Sequence, residues 1–412
     1  MTPEVLFTII VGILVFNYVF GLVLDYLNYI HRKTALPPEL QGIYDEETYR
    51  RQQDYKKANT RFCFVSGVFS FAVTMVFLLG GGFPWLDGIV RSITAHPILM
   101  ALLFFGIIML ASDLFGTPFD IYETFVIEER FGFNKTTVRT YIFDKLKGWM
   151  LGVIIGGGLL ALIIWIYLLA PDKFWILAWF IITAFSVFMT LFYSNLIVPL
   201  FNKQTPLQEG ELREAITTFI QKAGFRLKNV FVIDSSKRST RSNAYFTGLG
   251  PKKRIVLYDT LINDLDSNEL VAVLAHETGH YKKKHIWVNL IVSVLNTGLT
   301  LFILSFFISS PLLSAALGVE NHSFHIGLVA FGMLYSPISF IIGVFVNMYS
   351  RMAEYEADRY AGSFGFASHL IASLKKLTQK NLSNLTPHPL YVFFHHAHPT
   401  LLQRIMAMKG KE

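Results

Sequence analysis

Two histidines in the middle of the chain have the residue type and the spacing needed to hold one metal ion. They stand in His276-Glu277-Thr278-Gly279-His280. Asp266 and Glu269 form a capping pair, which predicts a helix that begins there and runs through this motif. Side chains four residues apart lie one above the other on a helix face, so both imidazoles can reach a single zinc ion at about 2.0–2.1 Å. We interpret His276 and His280 as its ligands.

The residues between the two histidines suggest hydrolytic chemistry. Glu277 is turned by about 100° from His276 on a helix, which lets its carboxylate touch a water molecule on the metal ion without binding the ion. This is the arrangement of a general base beside a metal-activated nucleophile. Gly279 inside a helix costs about 1 kcal/mol relative to alanine, so we expect a ligand or another helix to approach the backbone there.

A catalytic zinc site needs a third protein ligand and one open position. The best candidate is in Glu354-Tyr355-Glu356-Ala357-Asp358, where Glu354 and Asp358 share a face at helical spacing and Ala357 leaves room for close packing. We interpret Glu354 as the third ligand and Asp358 as an acceptor that orients an imidazole. The alternative is an acidic turn in solvent.

Other polar residues near these motifs are interpreted as structural. Glu356 is expected to be solvated and paired with Arg351 and Arg359, and His285, which follows the Lys282–Lys284 run, is expected at the membrane interface.

Long apolar runs indicate that the chain is a membrane protein. Hydrophobic residues make up 53% of the chain and charged residues only 16%, against about 25% charged in soluble domains. The runs are long enough to cross a hydrocarbon core of about 30 Å. We predict about seven spanning helices, at approximately 4–25, 62–81, 97–115, 148–169, 174–197, 286–309 and 325–348.

The charges of the loops predict the orientation in the membrane. Basic residues concentrate in the odd-numbered loops and the C-terminal tail, whereas the second and fourth loops hold only Arg91 and Lys173, and the sixth holds none. The odd-numbered loops and the C-terminus are therefore expected in the cytoplasm and the N-terminus outside. The net charge of +7 is not gathered into a basic stripe with interleaved aromatics, which argues against nucleic acid as a partner. The single cysteine, Cys63, excludes an intramolecular disulfide.

The segment from 198 to 285 is the main soluble insertion. A helix at about 207–224 is expected to end at Gly224, which suits a C-terminal cap. Two β-branched runs, Val230–Ile233 and Arg254–Tyr258, with Asn243–Thr247 between them, predict a small sheet. Asn243–Phe246 is expected to be an exposed edge strand, to which an extended substrate adds by main-chain hydrogen bonds.

In combination, these motifs and others resemble the type I CAAX prenyl protease family of integral-membrane zinc metalloproteases, over nearly the whole chain. The zinc motif alone is shared with many metalloproteases, whereas the combination in this order, with about seven spans, is specific. The matching motifs are Glu128–Thr137, Val198–Lys203, Ser242–Tyr245, His276–His280, Glu354 with Ala357-Asp358, and His398-Pro399 with Arg404.

The resemblance implies a ring of seven helices that encloses a large water-filled chamber, with one zinc ion near its cytoplasmic side. It implies that Asn243 and His398 lie beside the scissile peptide and donate to the developing oxyanion, and that Arg404 pairs with an acidic residue such as Asp358. Ala397 departs from the serine that the family often has there, which concerns local packing more than catalysis.

The predicted fold class is mainly α: a polytopic membrane protein with about seven transmembrane helices around a chamber and a small α+β zincin-like catalytic domain. The predicted domains are 1–197 with the first five spans, 198–285 with the zinc-binding helix, 286–348 with the last two spans, and 349–412 completing the site. Asn243, Ala244, Tyr245 and Phe246 are the predicted substrate-binding residues.

Three functions remain open at this stage. The first is cleavage of the C-terminal tail of prenylated proteins, and the second is membrane-protein quality control by a protease that requires no prenyl group. The third is a seven-helix receptor or transporter with structural zinc. The relatively short chain and the absence of a recognisable retention signal at Lys409–Glu412 lead us to expect the bacterial inner membrane rather than the endoplasmic reticulum. The expected partners are the lipid bilayer and a peptide or protein, which is prenylated under the first function; the sequence indicates no oligomeric state.

Overall fold

The computed structural model describes residues 2–31, 36–224, 230–247 and 254–410, without the side chains of Phe246 and Thr247. Helices dominate this part of the chain, and one small sheet accompanies them. The helices are α1 (Pro3–Ile30), α2 (Glu46–Leu79), α3 (Gly82–Ile93), α4 (Pro97–Tyr122), α5 (Val138–Leu151), α6 (Gly158–Leu169), α7 (Phe174–Leu196), α8 (Val198–Phe201), α9 (Glu211–Lys222), α10 (Asp259–Asp264), α11 (Ser267–Lys282), α12 (His285–Phe307), α13 (Pro311–Ala316), α14 (Phe324–Ser363), α15 (Ala367–Lys380), α16 (Pro389–His395) and α17 (Leu401–Met408).

Seven of the described helical segments are long and apolar enough to cross a membrane, which confirms the predicted number. They carry many exposed large hydrophobic side chains, as a surface in contact with lipid requires. Two of the spans run through a π-helical turn, at Glu123–Glu128 and at Gly152–Gly157. The segments are Pro3–Ile30, Glu46–Leu79, Pro97–Glu128, Val138–Leu169, Pro171–Phe201, His285–Phe307 and Phe324–Ser363.

Several spanning helices are longer than predicted because hydropathy marks only the part of a helix that lies in lipid. α2 begins at Glu46 rather than near residue 62, and its first turns are rich in charged residues. α14 continues to Ser363 rather than ending near residue 348. Polar side chains are compatible with a helix in water, so a helix continues where its apolar run stops. The extension of α14 carries the predicted third metal ligand.

The seven spans form a closed ring. Each helix contacts the next in the order α2, α1, α14, α12, α7, α6 and α4. The π-helical end of the α4 span contacts α2, which closes the ring. The ring of seven helices implied by the resemblance is therefore confirmed, while the water that would fill it stays a prediction. α3, which the sequence analysis missed, covers one end of the ring with the buried side chains of Phe83, Leu86 and Val90.

The soluble insertion contains a four-stranded sheet in the order β1-β2-β4-β3. β1 (Gln204–Pro206) is antiparallel to β2 (Val230–Ile233), which is parallel to β4 (Arg254–Tyr258). β3 (Ala244–Thr247) is antiparallel to β4 and lies at the edge. The three predicted strands are confirmed. β1 was missed because three residues ending in a proline show no alternating pattern.

The predicted helix of the insertion is shorter than expected. α9 begins at Glu211, because the residues after Pro206 still follow the sheet: the amide of Leu207 donates to the Val230 carbonyl oxygen at 2.9 Å. At the other end Gly224 has φ +62°, the left-handed conformation that favours glycine after a helix. The C-terminal turn at Gly224 is therefore confirmed.

α11 packs against the extension of α14 beyond its apolar run, and the contact is closest at Gly279. A Cβ atom placed on Gly279 would lie 3.0 Å from the Cα of Ala357 and 3.1 Å from the Cβ of Tyr360. The close approach expected at this glycine is therefore made by another helix. Glycine on α11 and alanine on α14 together let the two backbones come near enough for side chains of both helices to meet.

Replacing Gly279 tests this helix contact. We expect Gly279→Ala to lower the free energy of unfolding by about 1–3 kcal/mol, as overpacking in a filled interior does. Gly343→Ala is the matched control, because it also lies inside a helix but nothing stands within 4 Å of its added Cβ; it should not destabilise. Thermal unfolding of both variants in detergent measures the difference, and equal stability of the two would contradict the contact.

Candidate metal centre

α11 presents the two histidines of the motif side by side. A capping box starts the helix: Asp266 accepts a hydrogen bond from the Glu269 amide, and the Glu269 side chain accepts one from the Asp266 amide. From this start the helix runs without interruption through the motif, and the Nε2 atoms of His276 and His280 are 3.2 Å apart. The predicted helix and its capping pair are confirmed.

The extension of α14 brings Glu354 to the same point. Its Oε2 lies 3.4 Å from Nε2 of His276 and its Oε1 lies 3.3 Å from Nε2 of His280. The Glu354 side chain is buried, and its Oε2 accepts no hydrogen bond from the described residues. The structure thus brings together the three residues that the sequence analysis interpreted as ligands.

These distances fit one metal ion with tetrahedral coordination. Ligand atoms at about 2.0–2.1 Å from a tetrahedral ion are about 3.3 Å from one another; the two Nε2 atoms are 3.2 Å apart, and each lies 3.3–3.4 Å from a different oxygen of the Glu354 carboxylate. One ligand atom from each of the three residues lies within 4.8 Å of the others. A buried carboxylate oxygen without a hydrogen bond is costly unless a cation compensates it; the Arg404 Nη1 atom, 3.3 Å from Oε2, does so in part, and a metal ion would do so fully. Two imidazoles and one carboxylate are also the donor set of catalytic zinc sites, which leave one position open.

Asp358 and Arg404 fix the orientation of His276. The Nδ1 of His276 lies 2.9 Å from Oδ1 of Asp358, and Arg404 donates to both oxygens of that carboxylate, from Nε at 2.8 Å and from Nη2 at 2.5 Å. Asp358 is almost fully buried, and the bidentate guanidinium compensates its charge. Both residues lie where the sequence analysis expected them.

The electrostatics around His276 favour a positive charge. Burial lowers the pKa of this imidazole, but the hydrogen bonds with Asp358 and Glu354 outweigh burial and raise the pKa to about 9. The same field that would hold a proton on the ring attracts a metal cation.

Glu277 faces the site without a fixed partner. No hydrogen bond or ion pair within the described part of the chain holds its carboxylate, and burial raises the pKa of this group. A carboxylate with a raised pKa and no competing donor is suited to accept a proton from a nearby water molecule.

His398 reaches the site from the loop before α17. Its Nδ1 donates to Oε1 of Glu354 at 2.9 Å, and its side chain is 72% exposed. This hydrogen bond raises the pKa of the His398 imidazole. Spacing along the chain gave no reason to place His398 here, and only the family resemblance did so.

The predicted substrate-binding segment lies at the edge of the sheet. Asn243 immediately precedes β3; its Oδ1 accepts a hydrogen bond from the Ala244 amide at 2.8 Å, and its Nδ2 donates to no residue of the described structure. Ala244 packs into the same buried cluster as residues of α11, and the Tyr245 hydroxyl lies 3.4 Å from Oγ of Ser194. β3 pairs with β4 on one side only among the described strands. The side chain of Phe246 lies outside the described part of the structure.

One interpretation from the sequence is wrong, and one residue has a contact that the sequence did not indicate. His285, the first residue of α12, is buried and its Nδ1 lies 3.0 Å from Nδ1 of His280; its position at the membrane interface stays a prediction. Glu356 is not paired with Arg351 or Arg359 but contacts His285, with 3.1 Å between Oε2 and Nε2. The position of His285 depends on a left-handed turn at Lys284, with φ +63°, which no residue pattern indicated.

The ring of spans and the metal-binding geometry together define a polytopic membrane metallopeptidase. Comparison with known families agrees. Residues 25–203 match the family described as the CAAX prenyl protease N-terminal region with five membrane helices, and residues 206–412 match Peptidase family M48. The chain belongs to peptidase family M48, so it is a membrane-embedded metalloprotease and not a receptor or transporter.

Named relatives are similar over nearly their full length. CAAX prenyl protease 1 of Saccharomyces cerevisiae is 36% identical over 97% of this chain and 94% of its own. The CAAX prenyl protease 1 homolog of Arabidopsis thaliana is 35% identical over 98% and 97%, and that of Homo sapiens is 33% identical over 91% and 89%. The crystal structure of S. mikatae Ste24p superposes with a TM-score of 0.91, at 34% identity and over 98% of both chains.

Proposed function

We propose that this protein is a zinc endopeptidase that cuts the C-terminal tail from prenylated proteins. The observation that carries the proposal is the convergence of His276, His280 and Glu354: the two Nε2 atoms are 3.2 Å apart, and each lies 3.3–3.4 Å from an oxygen of the Glu354 carboxylate. Zinc is proposed as the metal because its usual geometry and donor set match this trio. A zinc ion held there supplies a Lewis acid, which polarises the peptide carbonyl and lowers the pKa of a water molecule to about 7.

Glu277 is the proposed general base. It accepts the proton of the attacking water and then delivers that proton to the amine that leaves when the peptide bond breaks. The absence of a fixed partner for its carboxylate and the raised pKa support this role.

Asn243 and His398 are the proposed donors to the developing oxyanion. Oδ1 of Asn243 is occupied by the Ala244 amide, so Nδ2 remains as its donor. His398 is exposed and its pKa is raised, so that it can present a charged N–H to substrate. Donors fixed before the reaction stabilise a transition-state charge more strongly than water does.

β3 is the proposed substrate-binding strand, over Asn243, Ala244, Tyr245 and Phe246. Its outer edge has main-chain donors and acceptors that no strand of the described structure uses. An extended peptide can pair with this edge with little demand on its sequence. Since β3 packs beside α11, such a peptide would pass close to the zinc ligands.

The prenylated substrate is proposed from the names of the relatives, which are CAAX prenyl proteases. The alternative, quality control of membrane proteins, uses the same site and differs only in its requirement for the prenyl group.

The role of Glu277 is tested by Glu277→Gln. Because Glu277 is not a proposed ligand, we expect the variant to keep one zinc ion per chain while its kcat falls by about 10³-fold or more, since the proton acceptor is gone. Metal analysis and turnover on the same purified sample measure both quantities. A variant that turns over at the wild-type rate would contradict the role.

The substrate class is tested with matched peptides that differ only in a farnesyl group on the cysteine. We expect cleavage after the modified cysteine, at least tenfold faster in kcat/KM for the farnesylated peptide, and complete loss of cleavage with a zinc chelator. Equal cleavage of the two peptides would point to the quality-control role, and cleavage that survives full zinc removal would exclude the metal mechanism.

The proposal also includes the orientation and the membrane. The N-terminus is proposed to lie outside and the C-terminal part in the cytoplasm, and the membrane is proposed to be a bacterial inner membrane. The relatives named above are eukaryotic, so the bacterial membrane stays a prediction. On a Cys63→Ser background, we expect an impermeant maleimide on intact cells to label Asp172→Cys and not Glu209→Cys, both exposed positions. The reverse labelling would invert the topology.

A further inference from the structure

We propose that His285 and Glu356 position the metal ligand His280, as Asp358 positions His276. Nδ1 of His280 lies 3.0 Å from Nδ1 of His285, and Nε2 of His285 lies 3.1 Å from Oε2 of Glu356. The side chains of His280, His285 and Glu356 therefore form a continuous line of contacts. It begins at the edge of the His280 ring that is opposite the proposed metal position. This inference rests on the proposed metal site and assigns it two further residues.

Only one arrangement of protons satisfies this line. When Nε2 of a neutral His280 binds a metal ion, its proton is on Nδ1, which must donate. His285 then has to accept at Nδ1, so its own proton is on Nε2, where it donates to Glu356. Each of the two contacts then has one donor facing one acceptor, and the carboxylate at the end increases the basicity of both imidazoles.

A break in the helix is needed to bring His285 to His280. On a continuous helix, residues five apart are turned by about 140° from each other and cannot touch. α11 instead ends at Lys282, Lys284 takes a left-handed conformation with φ +63°, and α12 begins at His285. The two rings then lie 5.1 Å apart between centroids. A lysine in this conformation is strained, which indicates that the surrounding contacts hold it there.

Glu356 reaches the metal site through His285. On α14 it is turned by about 200° from Glu354, whereas Asp358 is turned by only about 40°. Asp358 consequently reaches His276 directly, while Glu356 lies on another face of the helix. His285, whose side chain is only 5% exposed, fills the distance between Glu356 and His280. Glu354, Glu356 and Asp358, at alternate positions of α14, thus bind the ion and position its two imidazole ligands.

The experiment compares zinc affinity, by competition with a chelator, in two substitutions of His285 in the purified full chain. Asn has its Oδ1 near the position of Nδ1 and keeps the acceptor for His280, whereas Leu of similar size removes it. We expect His285→Leu to weaken zinc binding 10–100-fold, and His285→Asn to stay within about threefold of the wild type. His96→Leu, at an exposed histidine far from the site along the chain, should leave affinity unchanged.

Equal losses in the Asn and Leu variants, or no loss in either, would overturn the positioning role, because a residue that only packs does not distinguish them. If His285→Leu does not fold, Glu356→Leu against Glu356→Gln gives the same comparison, since Gln keeps an acceptor; equal affinities of these two would also overturn it. A His276→Ala, His280→Ala double variant that still binds zinc with wild-type affinity would overturn the metal site itself, so the two failures are distinguishable.

Discussion

At Gly279, α11 and α14 approach each other so closely that one added methyl group would strike the backbone of Ala357. The rest of the site depends on this contact, because it is what brings a carboxylate from α14 to two imidazoles on α11. The carboxylate is on the same unbroken helix that forms the last span of the ring. The metal centre is therefore attached rigidly to the membrane part of the protein, and its distance from the bilayer is set by the length of α14.

Buried charge explains the arrangement of the remaining side chains. Glu354 and Asp358 are both buried, and isolated carboxylates in such a place would be very unfavourable. Asp358 is compensated by the two-point contact with Arg404 and by His276. Glu354 receives His398 at Oε1 but leaves Oε2 without a hydrogen bond. Oε2 has Arg404 Nη1 at 3.3 Å and Nε2 of His276 at 3.4 Å, while Oε1 lies 3.3 Å from Nε2 of His280. The carboxylate thus lies beside both imidazoles, which is the place for a metal cation.

The sequence predicts those parts of this architecture that depend on local patterns. Spacing within one helix revealed His276 and His280, and the capping pair at Asp266 located the helix; run length gave the seven spans. Glu354 was found because a third ligand was required and an acidic helical turn was available. His398 and Arg404 depended on the resemblance, since nothing in their own surroundings in the sequence marks them. The contact of His285 with His280 was not predicted, because it follows from a left-handed lysine that no pattern encodes.

The most direct test of the metal centre is an anomalous-scattering map collected at the zinc edge from crystals of the active protein. We predict one peak, about 2.0–2.2 Å from Nε2 of His276, Nε2 of His280 and an oxygen of Glu354, with the fourth position left to water or substrate. A fully active protein with no peak at these atoms, or with its zinc bound elsewhere, would contradict it.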